Sequence, residues 1–143
     1  MRKAVIGVDG SQYSMAAFEY ASTLLHPEEW ELILVHILDE VLIETAAKAG
    51  ISLDEFLRSN AEKALGPVEG KARRLGYRVK RVVRPGKPHD EIINVAVEEG
   101  ADLIIVGSRG MRGLKRLILG SVSSYIASHS PIPVLIVHTR GRL

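Results

Sequence analysis

The sequence predicts a doubly wound α/β domain built on a five-stranded parallel sheet. Short, nearly continuous apolar stretches alternate along the chain with longer stretches whose apolar residues recur at helical spacing. The first pattern is typical of strands covered on both faces, and the second is typical of amphipathic helices. With 143 residues, the chain suits one domain over residues 1–143 and is too short for the eight units of a TIM barrel.

Five apolar stretches have the length and composition of strands. They cover residues 3–8, 31–38, 78–84, 103–106 and 134–137. Helical connections imply right-handed crossovers and parallel strands, and we expect the strand order 3-2-1-4-5 with helices on both faces. This order sets strands 1 and 4 side by side, with connections that leave in opposite directions. Such a switch point opens a crevice at the carboxyl ends of the two strands, where open α/β sheets bind ligands.

Helical periodicity fills the four connections between these strands. Ser11 is a candidate N-cap for the first helix. Residues 39–50 are helix-prone without clear boundaries, and a long helical pattern over residues 52–75 is interrupted at Pro67. The apolar stripe of this pattern stays in phase across the proline, which favours one kinked helix over two separate ones. Two further helices are expected over residues 89–100 and 121–130.

Composition excludes several classes of protein. The chain has no cysteine, which removes disulfide scaffolds, thiolate zinc sites, iron–sulfur clusters and a cysteine nucleophile. A net charge of +2 and only 5% aromatic residues do not suit a nucleic-acid surface. No apolar run reaches the roughly 18 residues of a membrane span, and Asp9 cuts the first run too early for a signal peptide. We therefore expect a cytoplasmic protein with neither nucleic acid nor membrane as partner.

The most informative segment is glycine-rich and basic, and it contains Gly107, Gly110 and Gly120. Glycine lets the backbone approach a ligand, and successive N–H groups in such turns form an anion-binding concavity. A helix that begins near Ser121 adds free N–H groups and the positive end of its dipole. Hydroxyl and cationic side chains are supplied by Ser121, Ser123, Arg109, Arg112, Lys115 and Arg116. Together these features predict a phosphate cradle beside the crevice; the alternative is a solvated surface loop.

Two polar residues of the predicted strands have both a functional and a structural interpretation. Asp9 ends the first strand, where it could accept from a ribose or base, bind a metal, or support the next helix. His36 lies inside an apolar strand, and we expect a hydrogen-bonded core histidine there. His89 is expected at a helix start. The remaining histidines, at positions 26, 129 and 138, show no ligand spacing, so no metal site built by the protein is predicted.

Taken together, these motifs resemble the universal stress protein family. The spacing Gly107-x2-Gly110-x9-Gly120-Ser121 is similar to the nucleotide signature of that family. The chain has neither G-x-x-x-x-G-K-[ST] nor G-x-G-x-x-G after its first strand, which argues against P-loop and Rossmann proteins. The resemblance covers essentially the whole chain, through residues 8–14 (VDGSQYS), 34–38 (LVHIL), 86–92 (GKPHDEI), 101–110 (ADLIIVGSRG) and 131–137 (PIPVLIV).

The resemblance implies membership of the ATP-binding branch of that family, with Mg²⁺ held mainly by the phosphates of ATP. In that branch the three glycines and the serine after the third hold the phosphates, while Asp9 and residues around Val8, Ile37 and Val106 match positions of the adenosine half. The nucleotide site is therefore expected to comprise Val8, Asp9, Ile37, Val106, Gly107, Arg109, Gly110, Gly120, Ser121, Val122 and Ser123.

The two predicted edge strands differ in charge. The third strand carries Arg78, Lys80, Arg81 and Arg84, the kind of charge that protects an edge against pairing, whereas residues 134–137 of the fifth strand have none. Antiparallel pairing of two fifth strands about a two-fold axis would satisfy both edges. We therefore expect a homodimer through residues 134–137, and the family resemblance implies the same dimer.

These observations favour a nucleotide-binding regulatory module over two alternatives. A slow ATPase or nucleotide hydrolase would need a base or water-positioning group near the γ-phosphate. The glycine-rich segment contains no carboxylate or histidine, so no catalytic residue is predicted. A flavodoxin-like interaction module without nucleotide, such as a receiver domain, would want an acidic cluster, whereas Asp9 is the only carboxylate at a predicted strand end beside the crevice.

Overall fold

The computed structural model describes residues 1–109 and 120–138. Within these residues strands and helices alternate much as the sequence predicts, and each predicted strand is found with its ends shifted by at most one residue. The elements are β1 (Arg2–Gly7), α1 (Gln12–Ala21), β2 (Trp30–Leu38), α2 (Glu40–Lys48), α3 (Leu53–Arg74), β3 (Arg78–Pro85), α4 (Pro88–Glu99), β4 (Leu103–Gly107), α5 (Ser121–His129) and β5 (Val134–Val137).

The five strands form one parallel sheet in the order β3-β2-β1-β4-β5, which confirms the predicted topology. The central strand β1 pairs with β2 on one side and β4 on the other, so that Val5 lies between Ile33 and Ile104. The chain leaves β1 towards β2 and leaves β4 towards β5. The switch point therefore lies between β1 and β4, as expected.

Helices cover both faces of the sheet, and alternate residues of each strand supply the two cores. On one face, Ile6 and Leu34 pack with residues of α1 and α3, among them Leu65. On the other face, Val5 and Ile33 pack with residues of α4 and α5. Because both faces are buried, the inner strands are apolar at nearly every position, which is why they appear in the sequence as continuous apolar runs.

The structure settles three features of the helices. Ser11 caps α1 as predicted, and its Oγ accepts from Ser14 N at 3.2 Å. The long pattern forms the single helix α3, which continues past Pro67. Pro67 has no N–H to give to Lys63 O, but it lies on the exposed side of the helix, where water can serve that carbonyl. Residues 39–50 contain a separate helix, α2, capped by the side chain of Asp39.

In the part of the chain that the structure describes, no helix is both long enough and apolar enough to cross a membrane.

Candidate functional site

A cavity of about 540 Å³ opens at the carboxyl ends of β1 and β4, where the switch point lies. Its size is typical of a pocket for a small molecule. Apolar side chains from the strands and α4 form one part of its wall, and glycines, serines, Asp9 and Arg109 form the other. The lining residues are Gly7, Val8, Asp9, Ser14, Val35, Ile37, Pro88, Ile92, Val106, Gly107, Ser108, Arg109, Gly120, Ser121, Val122 and Ser123.

The structure brings the two halves of the predicted site into this one cavity. Ten of the eleven site residues predicted from the sequence line it. The eleventh, Gly110, lies outside the described residues, as do Arg112, Lys115 and Arg116. That these ten residues contact a nucleotide stays a prediction.

Several cavity residues were not predicted from the sequence. Val35 shares the strand face of Ile37 two residues later, so the alternation of β2 could have identified it. Pro88 and Ile92 come from α4, and their place depends on how closely that helix packs on the sheet. A Cβ on Gly7 would lie 2.9 Å from Ile92 Cδ1, so a larger residue there would require the end of the Ile92 side chain to shift. No sequence motif predicts the contact between Gly7 and Ile92.

The turn after β1 is held by hydrogen bonds on both sides. Val8 N donates to Val35 O at 2.8 Å, and Val8 O accepts from the ring of His36, also at 2.8 Å. Asp9 Oδ1 accepts from Ser11 N at 2.9 Å. Asp9 therefore supports the start of α1, which confirms the structural interpretation. It also lines the cavity, and its contact with a ligand stays a prediction.

The first turn of α5 lines the cavity. The first N–H groups of a helix have no partner within the helix, and here the N-cap Gly120 provides no side-chain acceptor. The first turn also contains no acidic residue. The positive end of the helix dipole and these donors are therefore available to an anion bound between Gly120 and Val122.

Main-chain contacts attach the start of α5 to the end of β4. Gly120 N donates to Ser108 O at 2.7 Å, and Ser108 N donates to Val137 O at 2.9 Å. Ser123 Oγ lies 3.1 Å from both Ser108 O and Gly120 O. A hydroxyl has one hydrogen, and that of Ser123 is directed to these carbonyls. In this arrangement Ser123 holds together the polar edge of the cavity formed by Gly107, Ser108, Gly120 and Ser121, which we call the rim. Donation from Ser123 Oγ to a phosphate would require its hydrogen to turn away from the two carbonyls.

Two glycines of the rim are required by the packing of the protein itself. A Cβ on Gly107 would lie 3.0 Å from Tyr13 O and 3.2 Å from Arg109 O. A Cβ on Gly120 would lie 3.1 Å from Ser108 O. The guanidinium carbon of Arg109 lies 5.9 Å from the ring centroid of Tyr13, within range of a cation–π contact. The first turn of α1 thus packs against the polar side of the cavity.

The histidines and acidic residues of the described ranges do not form a metal site. No group of three or more potential metal ligands occurs among residues 1–109 and 120–138. His36 is 8% exposed and hydrogen-bonded to Val8 O, which confirms the predicted core histidine. His89 lies in the first turn of α4, as expected, with its ring centroid 4.4 Å from that of Tyr125.

The sheet order and the cavity at its switch point define a doubly wound α/β protein with a cavity of small-molecule size at the carboxyl edge of the sheet. The model of the universal stress protein family matches residues 1–138, and the chain belongs to this family.

Three proteins of known name or structure illustrate relatives that align over almost their whole length. The universal stress protein YxiE of Bacillus subtilis is 35% identical, over 94% of this chain and 97% of its own. The universal stress protein MJ0577 of Methanocaldococcus jannaschii is 30% identical over 98% and 96%. The solved structure of MJ0577 has a TM-score of 0.85 and covers 98% of this chain and 97% of its own. A universal stress protein solved in complex with cAMP is 27% identical, with a TM-score of 0.66 and 96% of both chains covered.

Proposed function

We propose that the protein binds ATP in the cavity between β1 and β4, with Mg²⁺ held mainly by the phosphates, and acts as a nucleotide-binding regulatory module. The observation that carries this proposal is the composition of the wall: an apolar slot and a helix N-terminus with no acidic residue in its first turn meet in one cavity of about 540 Å³. A ligand that suits both parts has a flat apolar end and an anionic end, as a nucleotide does.

The apolar slot suits a purine base. Aliphatic side chains line it: Val35 and Ile37 come from β2, Val106 from β4 and Ile92 from α4. Small-molecule pockets are typically lined in this way, with a few polar groups that fix the orientation of the ligand. Asp9 lines the same cavity, where its carboxylate can accept from ribose hydroxyls.

The relatives support an adenine nucleotide as the ligand class. One universal stress protein of the same fold, 27% identical to this chain, has been solved in complex with cAMP. A cyclic monophosphate and ATP share the adenosine half and differ in their phosphates. The additional phosphates of ATP would extend along Gly107 and Gly120 towards the first N–H groups of α5, which begins at Ser121.

The cavity favours binding without rapid turnover. Asp9 is the only carboxylate among its described lining residues, and no histidine is among them. Asp9 Oδ1 already accepts from Ser11 N, so this carboxylate is part of the turn rather than a free base. One carboxylate also provides few ligands for Mg²⁺, which commonly binds through substrate phosphates and water. A protein that uses ATP in this way would work in the cytoplasm.

We also propose that two copies pair through β5. This strand is an edge of the sheet, bonded to β4 on one side. Val137 O accepts from Ser108 N and Pro133 O accepts from Ile104 N, so these alternate residues of β5 face β4. The main-chain groups of Val134 and Ile136 then face outwards, because successive residues of a parallel strand bond in opposite directions. A second β5 would satisfy them.

Calorimetric titration with ATP and Mg²⁺, followed by AMP, cAMP and GTP, tests the nucleotide proposal. We expect saturable binding of the adenine nucleotides, weaker binding of GTP, and a melting temperature that rises with ATP concentration. Turnover should stay well below the roughly 1–100 s⁻¹ of kinases. Absence of both heat and a thermal shift at millimolar ATP would contradict the proposal, and fast hydrolysis would make the protein an enzyme.

A further inference from the structure

His36 is a polar residue buried among apolar neighbours in β2, and it lies behind the cavity rather than in its wall. Its neighbours Val35 and Ile37 line the cavity. Successive side chains of a strand point to opposite faces, so His36 shares the face of Leu34, which packs with α1 and α3. A polar side chain is costly to bury unless it is hydrogen-bonded, so the hydrogen-bond partner of His36 matters for its role.

That bond joins His36 Nδ1 to Val8 O at 2.8 Å. A carbonyl oxygen can only accept, so Nδ1 carries the hydrogen. Val8 N donates to Val35 O at 2.8 Å. Both main-chain groups of Val8 are therefore held by two consecutive residues of β2, one residue beyond the end of β1.

The peptide that His36 holds leads directly into the cavity. Val8 O and the N–H of Asp9 belong to the same planar peptide group, so fixing the carbonyl also fixes the direction of that N–H. Val8 and Asp9 both line the cavity, and Asp9 Oδ1 accepts from Ser11 N at the start of α1. A rotation of this peptide would move the carboxylate, the turn and the cavity wall together.

We propose that His36 is a positioning residue for the nucleotide site: from the far face of the sheet, its Nδ1–H holds the Val8–Asp9 peptide in the orientation that the ligand requires. This inference rests on the proposed nucleotide binding. The competing explanation is that His36 only satisfies a buried carbonyl and contributes to stability alone. The two explanations differ in whether binding changes when the donor is lost.

Four variants distinguish a positioning role of His36 from a contribution to stability alone. His36→Leu removes the donor. His36→Asn keeps an N–H on an atom bonded to Cγ, as Nδ1 is, whereas His36→Gln carries its N–H one bond too far from the backbone. Leu32→Ala is the matched control, since Leu32 is buried on the same face of β2 and pairs with Ala4 at the other end of β1. It should reduce stability without touching the Val8–Asp9 peptide.

The measurements are ATP affinity by calorimetry and unfolding in urea for each variant. We expect His36→Leu to bind ATP about tenfold more weakly or worse, and His36→Asn to stay within about threefold of the wild type. Leu32→Ala should be less stable with unchanged affinity. Unchanged affinity in His36→Leu, or an equal loss in Leu32→Ala, would overturn the inference. If His36→Leu does not fold, equal affinities of His36→Asn and His36→Gln would overturn it.

The protein without nucleotide provides an independent test by ¹⁵N NMR. We expect a proton on Nδ1 of His36, and a displaced Asp9 amide signal in His36→Leu but not in Leu32→Ala. A proton on Nε2 alone, or an Asp9 signal that does not move, would overturn the positioning role. If the wild type binds no ATP, the proposed function fails, and these spectra still decide whether His36 orients the Val8–Asp9 peptide.

Discussion

Gly107, the last residue of β4, packs against the first turn of α1 so closely that a Cβ would lie 3.0 Å from Tyr13 O. Both partners in this contact are main chain, which cannot move aside as the end of a long side chain can. The contact fixes the distance between α1 and the rim of the cavity. The absence of a side chain at this position is therefore required before any ligand is considered.

Gly107→Ala should destabilise the protein and weaken ATP binding together. Overpacking of this kind typically costs about 1–3 kcal/mol of unfolding free energy. The control is Gly70→Ala in α3, where the new Cβ would meet only the end of the Arg74 side chain, at 3.3 Å. There we expect stabilisation of about 0.5–1 kcal/mol, because alanine suits a helix better than glycine. Urea unfolding measures both; a Gly107→Ala protein as stable as wild type would contradict the packing argument.

The positive end of the α5 dipole predicts opposite effects of one substitution on stability and on binding. Ser121→Asp places a negative charge in the first turn, where the helix dipole favours it by about 0.3–1 kcal/mol. The same charge would repel the phosphates of ATP. We expect the ligand-free protein to melt at a slightly higher temperature and to bind ATP at least about tenfold more weakly.

Ser121→Asn, which has nearly the same size without the charge, is the control for this experiment. It should change binding less than Ser121→Asp does, and the difference between the two should shrink as salt is added. If Ser121→Asp binds ATP as the wild type does, the phosphates do not lie at the start of α5.

The pH dependence of stability should contain a contribution from Glu69. The hydrogen bond from Arg73 is the largest cause that lowers the pKa of Glu69 below 4.5; Arg81 adds to it, and burial acts in the opposite direction. A carboxyl with a lowered pKa in the folded state stabilises the fold above its unfolded pKa, and this contribution is lost as the pH falls through the folded pKa.

Glu69→Gln should therefore lower the free energy of unfolding by about 1 kcal/mol at pH 7 and have progressively less effect below pH 4.5. Urea unfolding at a series of pH values measures the difference between variant and wild type. Glu28→Gln, an exposed carboxylate before β2, is the control. A difference for Glu69→Gln that is constant from pH 7 down to acid would show that the ion pairs with Arg73 and Arg81 contribute nothing.

The sheet could be predicted from the sequence because its strands are buried on both faces. A strand such as β1 has Val5 and Ile6 facing opposite cores, both fully buried, so its apolar character is continuous and easy to recognise. The helix α2 behaves differently. Val41 and Leu42 are 67% and 53% exposed, so its apolar residues do not mark the face that packs on the protein. A pattern that does not reflect burial cannot define the ends of a helix.

The candidate site likewise has one part that could be predicted from the sequence and one part that could not. Its glycines and serines follow strand ends, and the parallel topology alone brings those ends together. The contributions of Ile92 and His36 depend on tertiary contacts: Ile92 lines the cavity from α4, with its Cδ1 close to Gly7, and His36 bonds to Val8 O from the opposite face. Neither contact has a signature in the spacing of residues, although each residue type is compatible with it.

The proposed dimer predicts that the backbone of one residue controls the oligomeric state. Ile136 lies on the edge strand β5 between residues bonded to β4, and its N–H is expected to face outwards. Ile136→Pro removes that N–H and leaves the β4–β5 bonds through Val137 O and Pro133 O in place. Ile136→Val keeps the N–H and is the matched control. In sedimentation equilibrium we expect about twice the chain mass of 15.7 kDa for the wild type and Ile136→Val.

Ile136→Pro should shift this equilibrium towards the monomer. It should also lower the stability of the monomer to some extent, because the Ile136 side chain is partly buried against the core beneath α4 and α5. The other edge of the sheet offers no comparable surface, because the charged residues of β3 are attached to the helices on both faces. Arg81 pairs with Glu62 at 3.0 Å on α3, and Arg84 pairs with Glu98 at 2.9 Å on α4. A dimer that persists in Ile136→Pro would show that pairing occurs elsewhere, and a wild-type monomer at micromolar concentration would contradict the proposed dimer altogether.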